Sequence, residues 1–181
     1  MTLSLTVATL IPGIILAALG SMLLAGNSAI VSMFRSLPRS RVAAGAFFGA
    51  GAIWFLYNIR HLSEADFGQF RGILFVFFLA IAVASFFVVP DFLSVRGLAV
   101  LILLGATPLL DAAYMEFEYP QRLFMVSAVF LAVAAAIYLG AVPYRMRDFL
   151  EWLFRQPARA RVLGGLFAAY GLLLVVVAFT Y

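Results

Sequence analysis

Cysteine and lysine are both missing from this chain, and histidine occurs once, as His61. Without cysteine there is no disulfide, thiolate metal site or cysteine nucleophile. Without lysine, Schiff-base chemistry and a serine–lysine dyad are excluded. One imidazole cannot supply bis-histidine haem ligation or a three-histidine zinc site. A glycine-rich phosphate loop, an HExxH pair and any hydrolase spacing of serine, histidine and acid are missing as well. No catalytic, cofactor-binding or metal-ligating set is expected, and no cofactor.

Charge is also scarce. Of 181 residues, 11% are charged and 66% hydrophobic, with a formal net charge of +4. A soluble domain of this length needs far more polar surface, so the bilayer is part of the solvent. All 12 basic residues are arginine. With no polar domain to carry a nucleic-acid site, they are read as membrane-surface residues, and no nucleic-acid partner is expected.

A membrane helix needs about 20 mostly apolar residues to cross the hydrocarbon. Six stretches qualify: Leu3–Gly26, Val42–Asn58, Gly72–Val89, Phe92–Ala113, Leu123–Val142 and Val162–Tyr181. The fourth has an uncharged centre too short to span alone, so Arg96 or Asp111 must lie inside a helix end. The opening Met1-Thr2-Leu3-Ser4-Leu5 lacks the positive region of a secretory signal, so the first stretch is read as a retained span.

The connecting segments alternate in charge. Nine arginines (35, 39, 41, 96, 145, 147, 155, 159 and 161) fall on one side, and three (Arg60, Arg71 and Arg122) on the other. The positive-inside rule places the nine in the cytoplasm and both termini outside. A bacterial inner (cytoplasmic) membrane is the expected location.

What is present in quantity is a repeat. The segment Phe34–Gly51 returns at Phe154–Gly171, with 8 of 18 positions identical, including three arginines and two glycines. An apolar helical face leads into each copy: Ile30, Met33, Phe34 and Leu37 in residues 28–37, and Met146, Phe149, Leu150, Leu153 and Phe154 in residues 145–156. Such amphipathic segments are expected to lie on the cytoplasmic membrane surface, with Pro38 and Pro157 closing them. Arg147–Glu151 and Glu151–Arg155 are spaced for i,i+4 ion pairs. The resulting fold class is all-α, a polytopic transmembrane bundle of six spans. Residues 1–181 form one integral membrane domain of three helical hairpins (3–58, 72–113 and 123–181), the first and third related by internal duplication. The segment Pro90-Asp91-Phe92-Leu93 weakly echoes a third copy.

Small residues mark expected helix contacts: Gly45 and Gly49 as a GxxxG, Gly164 and Gly165 in span six, Gly13 and Ala17 in span one. Packing within the chain is the first reading, and dimerisation through Gly45 and Gly49 the second. Span three, rich in phenylalanine, is expected to face lipid. Arg35, Arg39, Arg41, Arg155, Arg159 and Arg161 are the candidate contacts for anionic lipid headgroups. On the outer side, Asn58, Arg60, His61, Glu64 and Asp66 lie near Asp111, Glu116 and Glu118 in topology. A solvated loop is the simpler reading, with Arg60, Arg71 or Arg122 as partners for Asp111.

No charged residue falls at the centre of a span, which argues against ion-coupled transport and intramembrane acid–base catalysis. The expected function is therefore non-enzymatic: an accessory, assembly or scaffolding component whose partners are membrane lipids and other integral membrane proteins or itself. A small-molecule or lipid transporter is the alternative, and a membrane-embedded lipid-modifying enzyme the third reading. Reporter fusions placed within 27–41 and within 116–122 are expected to label opposite membrane faces; identical labelling would contradict the topology.

Overall fold

The computed structural model describes residues 3–181, and among these it is all-helical, without strands. Six helices are long and apolar enough to cross a membrane: α1 (Leu5–Ala25), α3 (Arg41–Arg60), α4 (Arg71–Val88), α5 (Leu93–Ala113), α6 (Arg122–Ala141) and α8 (Pro157–Ala178). The chain is accordingly a multi-pass membrane protein. Two shorter helices, α2 (Ser28–Ser36) and α7 (Tyr144–Arg155), occupy the segments with apolar helical faces.

Local chemistry explains the boundaries. Ser4, Asn27 and Ser40 each cap a helix by accepting a hydrogen bond from the amide three residues on, at 3.3, 2.8 and 3.2 Å. Gly26 ends α1 in the left-handed conformation, φ 54°. Pro157 acts differently from expectation. It does not merely stop α7; it opens α8, which starts there and not at Val162. Proline suits the first helical position because its missing N–H would have no partner there. The preceding Gln156 is extended, φ −128° and ψ 118°, as a residue before proline prefers. Arg159 and Arg161 thereby lie inside the first two turns of α8. Arg96 and Asp111 both lie inside α5.

The most intimate contact joins the first and last spans, which run antiparallel. A Cβ added at Gly20 would lie 2.3 Å from the Ala168 nitrogen, and one at Gly171 would lie 2.4 Å from the Ala17 nitrogen. Gly164 faces the Gly20 carbonyl in the same way, at 2.9 Å. Backbone therefore lies against backbone, which only glycine permits here. A second approach of this kind joins α3 and α5, which run parallel: a Cβ at Gly97 would lie 2.3 Å from the Phe48 nitrogen. Helix α5 continues the bundle onto α6.

The close pairs are thus not the three sequential hairpins of the sequence reading. Spans one and two are separated by α2, and spans five and six by α7. At about 1.5 Å per residue, helices of nine and twelve residues are roughly 14 and 18 Å long. That exceeds the 8–10 Å typical between packed helix axes, so neither connection is a tight hairpin turn. Helices α1 and α3 do not pack closely, and α6 meets α8 only locally, where Tyr170 donates to the Phe124 carbonyl. Helix α8 is then available to α1, and α3 to α5.

Helix α4 contributes no buried residue and packs mainly on α3, as expected of a lipid-facing span. The small-residue assignments need correction. Gly164 is packed, but Cβ atoms at Gly45, Gly49 and Gly165 would meet nothing within 4 Å. These three glycines line no helix contact in the chain, because the partner helices lie against the Gly51 and Gly171 faces instead.

Gly20→Val and Gly171→Val are expected to destabilise the protein by about 1–3 kcal/mol each, the usual cost of overpacking. Gly45→Val and Gly165→Val are expected to stay within about 0.5 kcal/mol, the range for open surface positions. Thermal unfolding in a neutral detergent checks the contrast.

Candidate functional site

At the end of the bundle that carries α2 and α7, the two repeated segments touch. The Phe34 and Phe154 rings lie 6.0 Å apart, and Arg35 donates to the Phe154 carbonyl at 3.1 Å while lying over its ring. Around them Leu23, Leu153 and Ala160 form a buried cluster, with Phe34, Phe154, Leu163 and Phe167 packed against it. Within α7 only Leu150 and Leu153 are buried; Phe149 remains exposed and stacks on Trp152 at 6.0 Å.

The six arginines proposed as lipid contacts do not form one cluster. Arg39 lies over the Phe92 ring at 5.6 Å, and Arg159 over the Trp152 ring at 4.6 Å with a hydrogen bond to the Trp152 carbonyl. Phe92 is held in the left-handed region, φ 58°. Arg41, Arg155 and Arg161 are exposed, without an ion pair among the described residues. The expected Glu151–Arg155 pair does not form. Arg147 instead holds Asp148 at 2.7 Å and reaches Glu151 at 3.9 Å. The Asp148 hydrogen bond, and then its charge, raise the pKa of Arg147 further above its ordinary value.

Two polar side chains that pattern reading passed over are buried here and at the opposite end. Ser94, near the start of α5, donates to the carbonyls of Leu37 and Pro38, at 2.7 and 3.0 Å. It fastens the corner between α2 and α3 onto α5, next to the Gly97 contact. Its position one turn before Gly97 was the only available signal. Thr9 is fully buried and donates to the Tyr181 hydroxyl at 3.2 Å, while Tyr119 meets Tyr181 edge-on. Ser21, Ser85 and Tyr170 donate to backbone carbonyls, as apolar surroundings require.

The opposite end gathers less than its composition allows. No group of three or more histidine, aspartate or glutamate side chains is placed to hold a metal among the described residues. His61 Nδ1 donates to the Tyr57 carbonyl at 2.8 Å, and Ser63 donates to Asp66 at 2.7 Å. Glu64, Asp111, Glu116 and Glu118 are exposed. Asp111 has no ion pair with Arg60, Arg71 or Arg122; Arg122 donates to the Ala113 carbonyl at 3.1 Å and covers Phe117. Arg60 covers Phe75 at 4.8 Å. Between the end of α3 and the start of α4 lies an open groove of about 690 Å³, lined by Arg60, His61, Arg71, Gly72, Phe75 and Val76.

No family model matches the chain, and no curated protein or solved structure is significantly similar to it.

Ser94→Ala is expected to cost about 1–3 kcal/mol, since two carbonyls lose a buried donor. Ser85→Ala, which removes only a bond within its own exposed helix, is expected to change stability by less than about 0.5 kcal/mol. Denaturation of the two variants side by side measures the difference.

Proposed function

We propose that this chain is a non-enzymatic accessory, assembly or scaffolding subunit of a larger membrane complex, with other integral membrane proteins or a second copy as partners. One observation carries the reading: charged side chains stand only in end turns and connecting segments, while α1 and α8 are closed by backbone-on-backbone contact. The central turns therefore offer no charged group for catalysis or ion coupling. Helix α4, with no buried residue, and the open Gly45–Gly49 side of α3 leave apolar surface uncommitted within the chain.

On this reading the protein resides in a bacterial inner membrane with both termini extracytoplasmic. The amphipathic α2 and α7 lie on the cytoplasmic surface, where exposed Arg41, Arg155 and Arg161 meet anionic headgroups. Arg35, Arg39 and Arg159 are partly committed to carbonyls and rings and reinforce the same field. Internal duplication is supported by equivalent behaviour of equivalent residues. Gly51 and Gly171 are both packed, Gly45 and Gly165 both open, and Phe34 meets Phe154. The transporter and lipid-enzyme alternatives lack a corresponding observation.

Solubilising native membranes in mild detergent and identifying co-purifying proteins by mass spectrometry tests the proposal. The expected result is a stoichiometric companion, or a second copy, that survives size exclusion. A chain that purifies alone as a monomer and binds or moves a small solute would refute it.

A further inference from the structure

We infer that the groove between the end of α3 and the start of α4 is an oxyanion site, built to hold a phosphate-type group such as that of a lipid headgroup. It lies at the opposite end of the bundle from the arginine clusters discussed above. Arg60 and Arg71, two of the three arginines in the segments of that side, are eleven positions apart in sequence yet line one groove with His61. Five acids belong to the same side, but none forms an ion pair with either arginine among the described residues.

Arg71 is the first residue of α4 and follows directly on the turn Gly68–Phe70, whose Gly68 carbonyl accepts a hydrogen bond from the Arg71 amide. Its Nε is buried without a hydrogen-bond partner. Arg60 and Arg71 thus bring two guanidinium groups to one groove whose lining carries no acid. A phosphate group answers both, because guanidinium binds it through paired N–H donors. Gly72 leaves room beside them: a Cβ there would meet nothing within 4 Å.

The remaining wall points to a lipid as source. Phe75 lies under Arg60, and Val76, 65% exposed, continues along α4 to exposed Leu79 and Val83. That stripe gives acyl chains an apolar track directly below the charged rim. A soluble phosphate would use the rim alone.

The test uses the full-length protein in neutral detergent micelles with two probes, phosphatidylglycerol read by native mass spectrometry and inorganic phosphate read by 31P NMR line broadening. R60Q and R71Q are each expected to weaken one saturable phosphatidylglycerol adduct at least fivefold, and R60Q/R71Q to remove it. R122Q, at the same end but outside the groove, is expected to change affinity less than twofold. Adducts at the other end of the bundle persist in all variants. Binding of inorganic phosphate alone, lost in R60Q/R71Q, would support the oxyanion site and assign it to a soluble anion. The proposal is overturned if neither probe binds saturably, or if R60Q/R71Q with an unchanged unfolding temperature binds both as the unmodified chain does. Arg60 is exposed at a helix end, so R60Q alone decides the matter if the double variant does not fold: unchanged affinity for both probes overturns the site.

Discussion

The rest of the bundle depends on the approach of α1 to α8. In lipid there is no hydrophobic gain from bringing two apolar helices together, since the tails they leave are as apolar as the side chains they meet. What remains is the quality of the contact: dispersion between closely fitted atoms and weak backbone–backbone polar interactions. Gly20, Gly164 and Gly171 make that contact possible by removing the side chains that would hold the helices apart. A single added methyl would fall inside the van der Waals radius of the opposing main chain. With the first and last spans joined in this way, the spans between them are confined to one side. Helices α5 and α6 take that place.

The two short helices determine which spans can meet. Helices α2 and α7 lengthen the connections between the spans they join, and they pack on one another. Leu153 and Phe34 bring α7 and α2 onto the adjoining ends of α1 and α8, and Ser94 locks the following corner to α5. A buried hydroxyl in an apolar protein is a specific fastener, because an unpaired carbonyl there has no water to turn to.

The arginines show how a poorly charged chain uses its few charges. Arg35, Arg39, Arg60, Arg122 and Arg159 each lie over an aromatic ring. Guanidinium is weakly hydrated and planar, so it can cover a ring and still reach a carbonyl or an anion at the membrane surface. Ion pairing plays little part, with Arg147 as the exception among the described residues. Cation over ring, rather than matched charges, is the pattern at both ends of the bundle.

Six helices long and apolar enough to cross a membrane, the two helices between them and the lack of burial along α4 were all legible in the sequence. Each follows from a property of a single segment: length, apolar composition or the period of its apolar face. The neighbours of each helix were decided only by the tertiary structure. Gly45 and Gly49 carry the more familiar contact motif, yet Gly20, Gly97 and Gly171 make the contacts. A small-residue pattern states that a helix can be approached closely, not from which side or by what. Arg60 and Arg71 likewise read as separate loop residues until α3 and α4 brought them to one groove. Span geometry is local and additive along the chain, whereas a contact or a site depends on two segments whose relative placement no local period encodes.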